Sequence, residues 1–406
     1  MDYVISQIAF SGNTGASGMG KALIQNLRTL DPDAKFHVLS YYPAADRRLT
    51  LPPDVEIVDG APVTVLLRAL FSGWIFFCRK LHLPAGLWRF GAMKTLGSCD
   101  LWIDAAGISF ADGREKFTLF NIFCLLPALA AGRRIVKAPQ ALGPFEHRFN
   151  RLLAKLFLPK MKLIAARGGR TAEYLAQLRL TNTIRYSDIA FSLNCRPRDA
   201  ERMAEVLPPK GKRPKLIGIS PSQVVFSLCA RQRIPYLAIL RDFIRSCLAA
   251  GFHCVIFPHS ARENCGKRHN NDLPVLRELH AMLPEDNGGI TWIEREWSDC
   301  ELRMLIGELD FLTASRFHAI ISAMATGIPT VVIGWSHKYA EVLSAFDLEQ
   351  YCIGYSELSA ENLQQKFQLL LRHEDEIRPR IRAVAEEIRE HNREFFRQLH
   401  EIASAS

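Results

Sequence analysis

Short runs of β-branched and other apolar residues recur along the chain, and most lead into a stretch whose apolar positions fall at helical spacing. Residues 4–10 (VISQIAF) pass through a glycine-rich segment into KALIQNLRTL, and residues 34–42 (AKFHVLSYY) form a second run. Further runs at 99–107, 133–142, 162–169 and 183–191 continue the series. This alternation predicts parallel strands joined by crossover helices. Around 194–215 the chain becomes polar, charged and proline-bearing, which reads as a linker. The alternation then restarts at 215–222, 253–260, 309–316 and 329–334. From residue 360 onward Ile377, Ile381, Val384, Ile388 and Phe395 recur near helical spacing in a charged background, predicting a terminal helical region. The expected fold is α/β, with two Rossmann-like domains in tandem at 1–195 and 215–359, a linker at 196–214 and a helical region at 360–406. In such folds ligands bind beyond the carboxyl ends of the strands, and a two-domain version is expected to place its active site in the interdomain cleft.

Length and composition narrow the class. A chain of 406 residues, 48% hydrophobic and 23% charged, has room for two or three domains and is neither disordered nor fibrous. The net charge of +9 is uneven: residues 1–200 hold 26 Lys+Arg against 15 Asp+Glu, and the remainder is slightly acidic. A basic half asks for an anionic partner. The ten cysteines are scattered without a CxxC pair, so free thiols in a reducing cytoplasm are expected. The first residues lack a basic n-region and meet glycines early, unlike a secretory signal. Two apolar runs, 69–78 and 117–132, fall short of the ~20 residues of a spanning helix. Each reads as a buried core helix or as a face resting on a membrane surface.

Candidate chemistry lies at the ends of the predicted strands. The segment Ser11-Gly-Asn-Thr-Gly-Ala-Ser-Gly-Met-Gly20 joins the first strand to the first helix, where backbone amides of Asn13, Thr14 and Gly15 can approach an anion. It fits the spacing of a P-loop up to Lys21, but Ala22 stands where a Ser or Thr would hold Mg²⁺. The run Ser315-Arg316-Phe317-His318 opens a helix, with Ser315 the expected N-cap and Gly327 the expected C′ residue. Cations in a first helical turn oppose the helix dipole, so Arg316 and His318 make chemical sense if an anion occupies the site. An empty site should depress the His318 pKa, and a polyanionic ligand should restore it. A surface arginine and a core-edge histidine are the plain alternative. Asp104, Asp112, His259, Arg167 and Arg170 also sit at or just after strand ends, and Asp188 either caps or braces a domain boundary. No HExxH, Cys/His cluster or GxSxG is present, so no metal site or hydrolase triad is expected. Nucleic acid is not expected as a partner, because no basic-aromatic stripe or binding module is found.

Taken in order, these pieces resemble the polysaccharide pyruvyl transferase family. They are Gly12-Asn13-Thr14-Gly15-Ala16, Asp104 to Asp112, Gln140-Ala-Leu-Gly-Pro-Phe145, Ala166-Arg167, Asp188-Ile-Ala-Phe191, Gly218-Ile-Ser-Pro-Ser222, Pro258-His259, Asn271-Asp272, Ser315-Arg316-Phe317-His318-Ala319 and Lys338. The resemblance implies a GT-B-like pair of Rossmann domains that transfers pyruvate from phosphoenolpyruvate to a sugar of a surface glycan or its lipid-linked precursor. The products would be a ketal and phosphate, with no cofactor or obligatory metal. By the same resemblance His318 is the general acid, Arg316 and Arg167 hold the donor's anionic groups, and the remaining motif residues, including Asp272, Ser315 and Lys338, line the substrate site. The chain departs from the family at Arg167-Gly-Gly-Arg170-Thr171, where Arg170 can share or replace the role of Arg167. It departs also at Asp104-Ala-Ala-Gly107 and at Asn271-Asp272. Two alternatives stay open: a glycosyltransferase of the same fold using a nucleotide-sugar donor, and a non-catalytic basic protein that docks glycan machinery. The expected location is the cytoplasm, with the basic half resting on the cytoplasmic face of the inner membrane.

Overall fold

The computed structural model describes residues 1–196, 201–209, 213–263, 271–284 and 288–405. It divides into two compact units, Met1–Ser11 with Ala16–Leu193 and Glu390–Ser406, and Gly12–Gly15 with Asn194–Arg389.

The first unit is built on the strands β1 (Asp2–Ile8), β2 (Lys35–Ser40), β3 (Val55–Asp59), β4 (Leu101–Asp104), β5 (Ile108–Ser109), β6 (Ile135–Leu142), β7 (Leu163–Arg167) and β8 (Thr183–Tyr186). They pair in parallel in the order β3-β2-β1-β4-β6-β7-β8, with β5 attached to β6. Register runs Val4 to His37 on one side of β1 and Val4 to Trp102 on the other. The central strands are buried on both faces, which is why they read as continuous apolar runs rather than alternating ones. The crossovers from β3 through β7 all step the same way along the sheet. Right-handedness therefore places the helices Pro62–Lys80, Glu115–Ala130 and Arg148–Phe157 on one face.

The second unit repeats the plan with β9 (Leu216–Ser220), β10 (His253–Ile256), β11 (Ile290–Trp292), β12 (Phe311–Ala314), β13 (Thr330–Gly334) and β14 (Cys352–Gly354). Their order, β11-β10-β9-β12-β13-β14, is that of a Rossmann sheet, and every pairing is parallel.

Several expectations change. Strands β3, β5, β11 and β14 carry no long apolar run and are added by the structure. The expected linker contains a short helix, Glu201–Val206, and part of that stretch lies outside the described residues, as does Cys265. The apolar run at 69–78 is the inner part of a longer helix, Pro62–Lys80, which by length and composition alone is sufficient to cross a membrane. Its Val65, Ala69, Ile75 and Cys78 are nevertheless buried. Residues 117–130 of the second run belong to the helix Glu115–Ala130, whose Ile122, Leu125 and Ala128 lie in the same core cluster.

The terminal region is not a separate appendage. Ile377 and Ile381 of the helix Glu374–Ser404 are buried in the second unit, whereas Phe395 and Leu399 are buried in the first. In the first unit Phe395 packs on Tyr186 with ring centroids 5.1 Å apart. The Asn392 side chain donates to the Asp188 carbonyl at 3.1 Å. Phe395→Ala should therefore cost about 3–5 kcal/mol by opening a cavity, whereas the exposed Arg397→Ala should stay within about 0.5 kcal/mol of the parent. Urea unfolding of both variants measures the difference.

Candidate functional site

The chemistry-bearing residues of the second unit follow the carboxyl ends of its strands. Ser222 follows β9, His259 follows β10, Arg316 and His318 follow β12, and Lys338 follows β13. Because β10 and β12 flank β9, chain direction across the sheet reverses there, and loops leaving a reversal point open a crevice.

The anchor of this region is Asp272, whose side chain is fully buried. Its carboxylate accepts from Arg316 Nε at 2.9 and 3.1 Å and from Arg316 Nη2 at 2.6 Å. It also accepts the backbone N–H of Gln223 at 2.9 Å and that of Ser260 at 3.0 Å. One carboxylate thus ties together the loop after β10, the start of the helix Gln223–Arg231 and the start of the helix Phe317–Thr326. Burial alone would lower the pKa of Arg316, but the charge and hydrogen bonds of Asp272 outweigh it and the net shift is upward.

The residue at the N-cap of Phe317–Thr326 is Arg316, in extended backbone, and not Ser315. The Ser315 hydroxyl is drawn elsewhere, into a hydrogen bond with Tyr236 at 3.1 Å, while Tyr339 donates to the Ser315 carbonyl at 3.3 Å. Gly327 closes the helix in the left-handed region with φ of 82°, as a C-terminal glycine should.

The glycine segment differs from its expected form. The first helix, Thr14–Leu30, has already begun at Thr14, so Gly15, Gly18, Gly20 and Lys21 are helical and no phosphate loop exists there. The absence of a side chain at Gly15 serves proximity: a Cβ there would overlap the His318 ring. Arg262 Nε donates to the Gly12 carbonyl at 3.0 Å.

Thr14 is bound to His259 twice. Its hydroxyl donates to the His259 carbonyl at 2.5 Å, and Nδ1 of the same histidine lies 3.1 Å away. A hydroxyl has one proton, so Nδ1 is the donor in the second contact and the ring's lone pair sits on Nε2. The His259 pKa is held well below its usual value, first by burial and then by the fields of His318, Arg316 and Arg303. Lys338 Nζ stands 4.7 Å from the Phe317 ring centroid and 4.9 Å from that of Trp335, a cation–π arrangement. Phe317 in turn meets the His318 ring edge-on at 5.2 Å.

Asn13, Thr14, Gly15, His259, Asp272, Ser315, Arg316, His318 and Lys338 therefore belong to the second unit. The other sequence candidates belong to the first. Asp104 is fully buried in an ion pair with Lys137, and its other oxygen accepts the Ala106 N–H at 3.0 Å. Asp112 accepts the N–H groups of Glu146 and His147 at 2.7 and 3.1 Å and the Asn150 side chain at 2.7 Å, bracing the turn before Arg148–Phe157. Arg167 pairs with Asp188 at 2.8 Å and donates to the Gly107 carbonyl at 3.0 Å. Arg170 is exposed in the first turn of Gly169–Gln177. Among the described residues one group, Asp112, Glu115 and His147, has metal-ligating proximity. Its oxygens already serve the N–H donors above and the His147–Glu115 contact at 2.8 Å. Tyr236, Tyr339 and Arg262 were not singled out from sequence. Only Arg262 had a signal, as a cation three residues after Pro258-His259 at a strand end.

The family model for polysaccharide pyruvyl transferase matches residues 13–337. No curated protein matches the chain. Among solved structures, one UDP-N-acetylglucosamine 2-epimerase superposes with TM-score 0.62 at 14% identity, covering 98% of this chain and 94% of that one. The UDP-GlcNAc 2-epimerase from Methanocaldococcus jannaschii gives TM-score 0.58 at 11% identity, over 91% and 93%. The wall teichoic acid polymerase TagF gives 0.52 at 10%, over 99% and 89%. At these identities the likeness shows the fold, two Rossmann-like domains of the GT-B kind.

Two outcomes follow from the geometry. Asp272→Ala leaves the Arg316 guanidinium buried without its partner and should lower stability by about 3–5 kcal/mol, read by chemical denaturation. A histidine with a depressed folded pKa binds its proton only when unfolded, so its contribution to stability falls as pH drops below about 6.5, by up to ~1.4 kcal/mol per pH unit. The unfolding midpoint of the parent should therefore fall between pH 7 and pH 5 more steeply than that of His259→Gln.

Proposed function

The chain belongs to the polysaccharide pyruvyl transferase family and is a transferase, and on that premise we propose that it moves the pyruvyl group of phosphoenolpyruvate onto two hydroxyls of a glycan sugar. The observation that supports this most directly is the gathering of Arg316, His318 and Lys338 around the start of the helix Phe317–Thr326. Such a cluster suits a small ligand that carries both phosphate and carboxylate.

The residues take the following roles. His318 gives a proton to the methylene carbon of the enol, and the adjacent carbon becomes an oxocarbenium-like centre. One sugar hydroxyl attacks that centre and loses its proton. The carbon–oxygen bond to phosphate then breaks and phosphate departs with that proton, a second hydroxyl adds to close the ketal, and its proton restores His318. His259, neutral and with its lone pair on Nε2, is the group suited to take a hydroxyl proton. Helix N-terminal amides and Lys338 stabilise the charge that accumulates on the departing phosphate. Arg167, committed to Asp188 and the Gly107 carbonyl, braces its own unit in this reading.

The acceptor is a sugar of a surface polysaccharide or of its lipid-linked precursor. We place the reaction in the cytoplasm. All nine described cysteines are free, which supports a reducing compartment.

The test supplies purified protein and a glycan acceptor with phosphoenolpyruvate or, separately, with UDP-sugars, and follows phosphate and UDP release. Phosphate release with a gain of ketal on the glycan is expected, and His318→Gln should lower kcat by about 100-fold or more at an unchanged melting temperature. UDP release without phosphate release would replace this reading with glycosyl transfer.

A further inference from the structure

The first unit carries an apolar surface that the pyruvyl chemistry does not use. On the helix Pro62–Lys80 one stripe (Val65, Ala69, Ser72, Ile75, Cys78) faces the core, yet the opposite stripe is also apolar. Val63, Leu66, Leu67, Leu70, Trp74 and Phe77 are all exposed, Val63 by 71% and Leu70 by 70%. The chain after this helix folds back against it. Trp74 Nε1 donates to the Leu87 carbonyl at 3.1 Å, and Phe71 meets the exposed Phe90 edge-on at 5.3 Å. The helix Arg148–Phe157, on the same face of the sheet, has the same character. It turns Asn150 and Ala154 inward and Phe149, Leu152 and Leu156 outward. Between the two packs the helix Glu115–Ala130, whose Phe117 and Leu119 are exposed as well; isolated exposed apolar residues are ordinary, but outward apolar stripes on helices of one face are not.

Within the two segments that carry these stripes the charges have one sign. Residues 60–99 contain no Asp or Glu but include Arg68, Arg79, Lys80, Arg89 and Lys94. Residues 147–172 likewise contain no carboxylate, and Arg148 and Lys155 are exposed beside the outward stripe of their helix. We propose that this face docks on a lipid bilayer containing anionic phospholipids, its aromatic and aliphatic side chains entering the headgroup–acyl boundary and its cations meeting lipid phosphates. Apolar faces rimmed by Lys and Arg have this behaviour, and Trp at such a boundary can keep its N–H bonded while its ring is apolar. A spanning role is unsuited to Pro62–Lys80 because one of its stripes, Val65 to Cys78, is already buried in the core. A second copy of the chain would bring cations against cations. The proposal stands on the surface alone and does not depend on the reaction proposed above.

The test is co-sedimentation of the full-length protein with vesicles of phosphatidylcholine, with or without phosphatidylglycerol at about a third of the lipid, over a range of salt. Binding to the anionic vesicles, weakened by salt, is expected. The double variants Leu70→Glu with Phe77→Glu, and Lys80→Glu with Lys155→Glu, should each reduce it at least about tenfold without changing the melting temperature. Failure of the parent to sediment overturns the proposal, and so does sedimentation that neither variant alters. Gel filtration supplies a further outcome: a parent dimer that Leu70→Glu with Phe77→Glu converts to monomer assigns the face to a second copy instead.

Discussion

The second unit depends on a single buried carboxylate. Asp272 receives Arg316 and two backbone N–H groups, so loops leaving β9, β10 and β12 are held against one another by one side chain. A buried ion pair gains little net stability over an apolar replacement, and its value lies in fixing geometry. Here that geometry is unusual, because it stations an arginine where the helix dipole opposes a cation. Only a carboxylate on the arginine's far side makes the placement tolerable, and once it is fixed the neighbours follow. His259 sits one residue before Ser260, whose N–H Asp272 holds, and the fields of Arg316 and His318 join burial in keeping it neutral. The protonation state of His259 is thus set first by its burial, with the fields of His318 and Arg316 adding to it.

Much of the fold was legible in residue pattern because parallel strands buried on both faces appear as unbroken apolar runs. β4, β9, β12 and β13 come closest to this kind. The strands that escaped are short or of mixed polarity: β3 reads VEIVD, β11 ITW and β14 CIG. The terminal helix shows a different limit. Helical spacing at Ile377, Ile381 and Phe395 announces a buried stripe, but period alone does not say which core buries each end, and here the two ends serve different units.

The candidate site was legible as a set of strand-end residues and much less as a set of partnerships. Arg316 and His318 were visible because cations in a first helical turn contradict the dipole. The compensating Asp272 lies 44 positions earlier in the chain, and no local rule joins the two. Asp104, Asp112 and Arg167 share the same signal, polar groups at strand ends, yet the structure engages them with Lys137, with backbone N–H groups and with Asp188. A polar residue at a strand end marks a place where the backbone needs partners as often as one where a ligand does.

The positive charge of the first half has a related history. Taken as a sum it suggests a diffuse attraction for anions, but the sum hides its arrangement. Asp46, Asp54, Asp59 and Asp104 serve β-strand ends and loops, where each accepts N–H donors or pairs with a cation. The helical segments facing outward lack carboxylates altogether over 60–99 and 147–172. Folding therefore segregates the charges, with acids drawn to backbone turns and cations left along helices whose outer stripes are apolar. Solubility alone would favour the opposite choice at Val63, Leu67 and Leu70, because a polar residue there leaves the inward stripe untouched. The apolar residues of that stripe face away from the core, and their exposure is the observation that the docking proposal answers.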